Sequence, residues 1–120
     1  MIKLTQQEEE SMQLIWQNNG GFVKEILEIY PEPKVPYTTL ASTMKNLEKK
    51  NYLRSVRLGN SFRYEALIPE DEYKKVFMNN FVSEYFKNSY KDLVSFFAKD
   101  EKISPEELKE ILQMIEQSKS

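Results

Sequence analysis

Between residues 36 and 63 the sequence gathers side chains of the two kinds that bind duplex DNA, which are short hydrogen-bonding groups and cations. The hydroxyl and amide groups are Thr38, Thr39, Ser42, Thr43 and Asn46. The cations are Lys45, Lys49, Lys50, Arg57 and Arg63. Groups of the first kind can hydrogen-bond to base edges in the major groove, and cations can pair with phosphates. We interpret these residues as a candidate DNA-binding surface, in which the first set reads bases and the second holds the backbone.

The charge distribution supports this interpretation, although the chain as a whole has a formal charge of −2. From Lys34 to Arg63 there are seven basic residues and one acid, Glu48. From Pro69 to the end there are eight lysines and eleven acids. A basic segment within an acidic protein concentrates positive potential on one part of the surface, as in DNA-binding domains.

The elements that would position these residues follow from the spacing of apolar side chains. Pro36 suits the first turn of a helix, where no backbone N–H is needed. An apolar stripe then recurs at helical spacing, through Tyr37, Leu40, Ala41, Met44 and Leu47. Two strands are predicted next, Tyr52 to Leu58 and Ser61 to Leu67, joined by a two-residue turn at Gly59-Asn60. Such a turn would put Arg54 opposite Glu65.

Two further helices are predicted before this segment. Thr5 and Glu8 have the spacing of a capping box, which predicts a helix from there to about Asn18. A second, short helix is predicted over residues 22–30, ended by a proline. Three helices followed by a hairpin are the order of a winged helix-turn-helix, whose third helix enters the major groove. The predicted fold is therefore mainly α with a small β-hairpin wing, and residues 1–68 are its DNA-binding domain.

The remaining residues, 69–120, are predicted to form a helical dimerisation domain. Helices are expected over residues 71–87, over residues 90–97 and from Pro105, with Ser104 as the N-cap of the last. This region carries more apolar surface than it could bury alone, and a second copy of the chain would cover it. The residues predicted at the dimer interface are Tyr73, Phe77, Phe81, Tyr85, Leu108, Ile111, Leu112 and Ile115.

Composition excludes several classes of function. The 120 residues include no cysteine and no histidine, so disulfides, cysteine nucleophiles and the usual soft metal ligands are absent. The acids are scattered beside lysines and there is no Gly-rich phosphate loop, so we predict no metal, no cofactor and no enzymatic activity. No apolar run approaches the ~20 residues that cross a bilayer, and the N-terminus lacks a signal-peptide core. We therefore expect no membrane insertion and a cytoplasmic location.

Several short motifs, in their order and spacing, make the chain resemble the penicillinase and methicillin-resistance repressor family. They are Leu4-Thr5-Gln6-Gln7-Glu8-Glu9-Glu10-Ser11-Met12 followed by Ile15-Trp16, Tyr37-Thr38-Thr39, Leu47-Glu48-Lys49-Lys50-Asn51-Tyr52-Leu53, Phe62-Arg63-Tyr64, Leu93-Val94 and Phe97-Ala98-Lys99. The resemblance covers nearly the whole chain. It implies a homodimeric repressor, linked to antibiotic resistance, that binds an inverted-repeat operator in double-stranded DNA. It also implies release through proteolysis that a membrane sensor protease triggers.

The chain departs from the family pattern at two places. Asn51 stands where the family usually has glycine, and asparagine tolerates the left-handed backbone of such a position. Phe96-Phe97 stands where well-known members carry the Asn-Phe bond that is cut. Phe96 and Phe97 are therefore the candidate cleavage site. Because of this departure, the sequence does not decide whether proteolysis controls the repressor.

Each interpretation has an alternative. The threonines and serine of the third helix could form a solvated face, and the clustered cations could be ordinary surface charge. A winged helix can also serve as a protein-interaction module, which would have no salt-dependent affinity for duplex DNA. The aromatic residues of the C-terminal region could hold a small apolar ligand that shifts dimer packing. That alternative gives a ligand-responsive regulator without proteolytic control.

Overall fold

Six α-helices and three short β-strands make up the part of the chain that the computed structural model describes, residues 1–118. In chain order they are α1 (Gln6–Gln17), β1 (Gly21–Phe22), α2 (Val23–Ile29), α3 (Tyr37–Lys49), β2 (Leu53–Leu58), β3 (Ser61–Ala66), α4 (Glu70–Phe86), α5 (Tyr90–Lys99) and α6 (Pro105–Ser118). The predicted class, mainly helical with a small β wing, is confirmed.

The chain divides into two units, Met1–Val76 and Phe77–Ser120. The predicted functional boundary between residues 1–68 and 69–120 stays a prediction. Residues 119 and 120 of the predicted second domain lie outside the described part of the chain.

The first helix begins where the sequence predicts. The Thr5 hydroxyl accepts a hydrogen bond from the Glu8 backbone N–H at 3.2 Å, and the Glu8 carboxylate accepts one from the Thr5 N–H at 2.8 Å. This reciprocal arrangement satisfies backbone donors that a helix start leaves unpaired. Helix α6 begins in the same way, because Ser104 and Glu107 exchange bonds of 3.1 and 3.0 Å. Local sequence is therefore sufficient to define both helix starts.

Strands β2 and β3 form the predicted hairpin, which is the wing. They pair antiparallel, with Leu58 opposite Ser61 and Arg54 opposite Glu65. The turn between them contains Gly59 with a φ of 63°, which glycine adopts without steric cost. The Arg54 guanidinium lies 3.2 Å from the Glu65 carboxylate, so these two residues, which the predicted turn puts opposite each other, form an ion pair. Since Arg54 is largely exposed and Glu65 about one-third exposed, the pair stabilises the hairpin only slightly.

The third strand, β1, is not predicted from the sequence. Its residues pair with β3, Gly21 with Tyr64 and Phe22 with Arg63, and the strand order is β1-β3-β2. Phe22 has an extended backbone (φ −78°, ψ 154°), so the prediction that α2 begins at Phe22 is wrong by one residue. A two-residue strand is too short to show alternation of polar and apolar residues, and only the neighbouring β3 decides its conformation.

The core of the first unit lies between α1, α2, α3 and the sheet. Leu40, Met44 and Leu47 of the predicted α3 stripe are fully buried in it. Other elements contribute Leu4, Met12, Ile15, Val23, Ile26, Tyr30, Tyr52, Leu53 and Tyr64. Tyr37 belongs to the predicted stripe but is 53% exposed. It is the first residue of α3, before the helix passes over the core.

The first turns of α4 belong to the first unit. The Tyr73 ring lies 5.4 Å from the Trp16 ring and 6.1 Å from the Tyr52 ring, between centroids. The Tyr73 hydroxyl donates to the Glu9 carboxylate at 2.5 Å, and the Trp16 indole donates to the Ile68 carbonyl at 3.0 Å. Burial, and next the Glu9 carboxylate, raise the pKa of Tyr73 above its ordinary value. These contacts anchor the start of α4 on α1.

The second unit buries little of its apolar surface. Among residues 77–118 only Val82 is buried. The large apolar side chains that are exposed there are Phe77, Met78, Tyr85, Tyr90, Val94, Phe96, Phe97, Ile111, Leu112, Met114 and Ile115. Some aromatic rings contact each other, such as Phe86 and Phe96 with centroids 5.8 Å apart. The single chain therefore leaves the apolar sides of α5 and α6 in water.

Candidate nucleic-acid interface

Most of the polar residues predicted on α3 lie together on its outer face. Those that are exposed are Thr38, Ser42, Lys45, Asn46 and Lys49, and Thr39 is partly buried. Positions 38, 42, 45 and 49 recur at intervals of four and three, so they follow one line along the helix, away from the buried stripe. The short hydrogen-bonding groups come first and the cations follow. This face can hydrogen-bond to base edges and attract phosphates.

Thr43 lies apart from this outer face. Its residue is only 6% exposed, and its hydroxyl donates to the Thr39 carbonyl in the preceding turn at 2.9 Å. A threonine inside a helix commonly satisfies its hydroxyl in this way. Position 43 is three residues after Leu40 and directly before Met44, so it falls on the buried side. By residue type Thr43 belongs with Thr38, Thr39 and Ser42, which is why the sequence places it in the DNA-binding set. In the helix its side chain lies on the buried side instead.

Lys50 is engaged within the first unit. Its ammonium lies 2.6 Å from the Glu8 carboxylate and 3.1 Å from the Lys3 carbonyl oxygen. Burial raises the pKa of the Glu8 carboxyl, but the Lys50 ammonium and the hydrogen bonds from Thr5 together outweigh it and leave the pKa below its ordinary value. Lys50 thus joins the end of α3 to the start of α1, whereas the adjacent Lys49 is exposed.

The two predicted wing arginines lie on opposite faces of the hairpin. Arg57 is opposite Phe62, whereas Arg63 is opposite Val56, and successive positions in a strand alternate between faces. Arg57 is exposed. The Arg63 guanidinium donates to the Asn19 carbonyl at 2.8 Å, which holds it against the end of α1. The structure therefore does not bring these two cations together.

Glu48, the one acid of the basic segment, links α3 to the wing. Its carboxylate accepts hydrogen bonds from the Ser55 hydroxyl at 2.6 Å and from the Ser55 N–H at 3.2 Å. The contact joins the last turn of α3 to β2, so helix and wing are held in a defined arrangement. In the sequence Glu48 stands out only as a charge, because its role depends on where β2 passes α3.

Two backbone positions beside this surface need left-handed conformations. Asn51 has a φ of 65°, which confirms the prediction that asparagine fills a glycine-like position there. Gly20 has a φ of +90°, and a Cβ at this position would lie 2.7 Å from the Tyr64 carbonyl oxygen and 2.8 Å from the Arg63 guanidinium. Gly20 therefore allows β3 to pass closely. The glycines that end α1 in the sequence are the only signal of this role.

The residues predicted for dimerisation divide between the two units. Tyr73 lies in the first unit, where Trp16 and Glu9 hold it. The other seven lie in the second unit. Of these, the exposed ones are Phe77, Tyr85, Ile111, Leu112 and Ile115, and the partly buried ones are Phe81 and Leu108.

The candidate cleavage residues lie inside a helix. Phe96 and Phe97 belong to α5, and they are 58% and 39% exposed. Their rings contact each other edge to face, with centroids 5.5 Å apart. The bond between them is thus near the surface but in helical, hydrogen-bonded backbone.

Within residues 1–118 there is no group of three or more Asp, Glu, His or Cys side chains that could hold a metal ion. None of the helices in that range is both long enough and apolar enough to cross a bilayer.

Three helices, a two-stranded wing, and an outer helix face of hydroxyl, amide and ammonium groups define a winged-helix, DNA-binding transcription regulator. A sequence profile of the penicillinase repressor family matches residues 4–117. The chain belongs to this family, and its class is that of transcriptional repressors. The resemblance seen in the sequence motifs is confirmed.

Individual relatives agree with this assignment. The penicillinase repressor of Staphylococcus aureus is 26% identical over 111 residues, covering 92% of this chain and 88% of that protein. The methicillin resistance regulatory protein MecI of Staphylococcus aureus strain Mu50 is 24% identical over 110 residues, covering 91% of this chain and 89% of that protein. These relatives are regulatory proteins and not enzymes. A solved structure of a mutant of Lactococcus lactis ZitR aligns with 98% of this chain and 75% of its own, with 16% identity and a TM-score of 0.45.

Proposed function

We propose that two copies of this repressor bind an inverted-repeat operator in double-stranded DNA, each with α3 in the major groove. The observation that carries the proposal is the outer face of α3, where Thr38, Ser42 and Asn46 are exposed with Lys45 and Lys49. Short hydrogen-bonding groups at the start of a helix and cations towards its end suit a helix whose first turns contact bases and whose end lies beside phosphates.

Within this proposal the side chains divide into three groups by role. Base edges are read by Thr38, Thr39, Ser42 and Asn46. Phosphates are held by Lys45, Lys49 and Arg57. A supporting role, through contacts within the first unit, falls to Thr43, Lys50 and Arg63. The third group is separated because Thr43 is buried and because Lys50 and Arg63 are each bonded to another element of the first unit, whereas Arg57 bonds only to the turn of its own hairpin.

The proposal is tested by selecting bound sequences from a random DNA pool and then titrating selected and random duplexes at two salt concentrations. Affinity should fall with salt on both duplexes, because phosphate contacts release counterions. Thr39→Ala should lose about 1–3 kcal/mol of preference for the selected duplex and keep the salt dependence. A protein without salt-dependent affinity for any duplex would contradict operator binding and favour the protein-interaction module.

We propose that the second unit forms the homodimer. On α6, Ile111, Leu112 and Ile115 are 44%, 54% and 47% exposed, and they share a face with Leu108. Removing this apolar surface from water favours association with a second copy. Linking two half-site readers makes binding of the second half-site intramolecular, which raises operator affinity.

We further propose that the repressor, in the cytoplasm, is released from DNA when a membrane sensor protease triggers cleavage between Phe96 and Phe97. The bond lies in α5, a helix with no buried residue, so local unwinding that exposes it should cost little free energy. Cleavage there would detach α6 from the rest of the second unit and weaken the dimer.

The release step is tested by exposing the native host to a cell-wall antibiotic and following the chain by mass spectrometry. A fragment that ends at Phe96 is expected to appear as the repressed genes are expressed. Expression of those genes while the chain stays intact would contradict proteolysis. That result would favour a ligand that binds the aromatic cluster and changes dimer packing.

A further inference from the structure

Helix α5 lies between two turns in which residues other than glycine have a left-handed backbone. In the turn before it, Lys87 has a φ of 52° and Asn88 has a φ of 65°. In the turn after it, Glu101 has a φ of 57°. Asparagine adopts this conformation more readily than most residues, whereas a lysine or a glutamate is strained there because its Cβ comes too close to a carbonyl oxygen. The backbone is therefore strained at both ends of α5.

Hydrogen bonds between backbone groups hold the two turns in this conformation. Before α5, the Asn88 N–H donates to the Val82 carbonyl at 3.1 Å. After α5, the Lys102 N–H donates to the Phe97 carbonyl at 2.9 Å. Turns of this kind close the end of a helix, and glycine is the usual residue at their left-handed position. When α5 and its two turns unwind together, these bonds break and the strain is released.

Little packing opposes this unwinding, since no residue of α5 is buried. The contacts of α5 with α4 include the rings of Phe86 and Phe96, with centroids 5.8 Å apart, and a hydrogen bond from the Tyr90 hydroxyl to the Asn79 side chain. The hydrogen bond is exposed, so water can replace it at small cost. The free energy that keeps α5 closed therefore comes mainly from its backbone hydrogen bonds, and the strain at its two ends subtracts from that free energy.

We propose that the strained turns make α5 open as one unit, from Lys87 to Glu101, while the first unit of the chain stays folded. Fraying at one end releases the strain of one turn only, whereas unwinding of the whole helix releases the strain of both. Opening converts the backbone around Phe96 and Phe97 from a helix into an extended chain that a protease can bind. As a control on cleavage this inference rests on the proposed function, although the opening itself requires no protease.

The experiment measures chymotrypsin cleavage of the full chain under native conditions. Chymotrypsin cuts after large apolar side chains, so mass spectrometry of the fragments that end at Phe96 or Phe97 reports the opening of α5. With little protease, cleavage is slow relative to closing of the helix, and its rate follows the population of the open form. Sedimentation at the same protein concentration checks that each variant has the association state of the wild type.

Glycine at the two strained positions should slow this cleavage. Lys87→Gly and Glu101→Gly should each lower the rate about threefold, because glycine adopts a positive φ without strain. Lys87→Ala and Glu101→Ala are the matched controls, since they remove the same charges but keep a Cβ, and they should be cut no more slowly than the wild type. Lys91→Gly, at a helical position of α5, should be cut faster, because glycine lowers the stability of a helix.

Equal cleavage rates for the glycine and alanine variants at both positions would overturn the role of strain, even if the chain is cut in the induced host. If glycine slows cleavage only as much as it stabilises the first unit, measured by Trp16 fluorescence in urea, the chain opens globally and local opening of α5 is wrong. The proposed release fails separately. An intact chain in the induced host, together with slowed chymotrypsin cleavage of the glycine variants, would contradict proteolytic release and support the opening of α5.

Discussion

At the residue scale, Lys49 and Lys50 have different surroundings although they are adjacent. Lys49 is exposed on α3, and the Lys50 ammonium lies 2.6 Å from a carboxylate that is nearly buried. An exposed cation is available to phosphates. A cation that pairs with a buried carboxylate mainly stabilises the fold, because its removal leaves that charge without its ionic partner.

Substitution of the two lysines should therefore have opposite consequences. Lys49→Met should weaken DNA binding on all sequences, lower the salt slope by about one and change the free energy of unfolding by less than about 0.5 kcal/mol. Lys50→Met should lower the free energy of unfolding by about 1–3 kcal/mol and affect the salt slope less. Duplex titration and urea unfolding of both variants measure this, and each variant is the control for the other. Equal effects of the two variants on both quantities would contradict the assignment.

The pair of Glu8 and Lys50 also predicts a pH dependence of stability. Since the pKa of Glu8 in the folded chain is below its ordinary value, the unfolded chain takes up the proton more readily than the folded chain. The stabilisation is therefore complete at neutral pH and is lost as the pH falls through the folded pKa. The difference in unfolding free energy between wild type and Lys50→Met should be largest at pH 7 and should shrink below about pH 4. A difference that stays constant from pH 7 to pH 3 would show that Lys50 does not act through this carboxylate.

At the scale of elements, the start of α4 is anchored on α1. The Tyr73 hydroxyl bonds to Glu9 and the Trp16 indole bonds to Ile68, while the two rings contact each other. These residues come from both ends of the first unit. The anchor therefore makes the first turns of α4 part of the winged-helix fold.

Tyr73→Phe should lower the free energy of unfolding of the first unit by about 0.5–1.5 kcal/mol, because the ring contacts remain and a hydrogen bond is lost. The fluorescence of Trp16, the one tryptophan of the chain, reports this unfolding in urea because its ring lies 5.4 Å from Tyr73. Tyr85→Phe on the same helix, at a residue that is 67% exposed, serves as the control and should change stability little. Equal stability of both variants would show that the hydroxyl of Tyr73 contributes nothing.

At the scale of the whole molecule, the two units differ in how much of their apolar surface they bury. The hydrophobic core consists of residues between Leu4 and Tyr64, and Val82 is the one buried residue of the range 77–118. The first unit therefore has what it needs to fold by itself. The second has a large apolar surface that a second copy would cover.

Fragments of the chain test this difference. A fragment of residues 1–76 should fold as a monomer and bind DNA more weakly than the full chain, which should sediment as a dimer. A fragment of residues 1–69 lacks Tyr73 and should be less stable than the longer one by about 1–3 kcal/mol. Sedimentation and urea unfolding provide both measurements. A dimeric 1–76 fragment, or a monomeric full chain at micromolar concentration, would exclude dimerisation through the second unit.

Features that depend on residues close in the chain follow from the sequence alone. The starts of α1 and α6 rest on side chains three residues apart, and the register of the wing rests on the two-residue turn at Gly59-Asn60. The left-handed backbone at Asn51 follows instead from the family resemblance, because the family usually has glycine at this position. The outer face of α3 follows from helical spacing. The same spacing places Thr43 on the buried side, because it lies three residues after Leu40 and four before Leu47.

Which polar groups remain available for binding was decided only by the tertiary structure. Lys50 pairs with Glu8 across 42 residues, Arg63 with Asn19 across 44, and Tyr73 bonds to a residue 64 positions earlier. Spacing along the chain carries no information on such contacts, because they depend on how α1, α3, β3 and α4 pack. The two-residue strand β1 belongs to the same category, since only the neighbouring β3 gives it partners for its backbone. The sequence alone therefore determines the kinds of side chain that the surface presents, and packing determines which of them are free to bind, because burial and internal hydrogen bonds engage the others first.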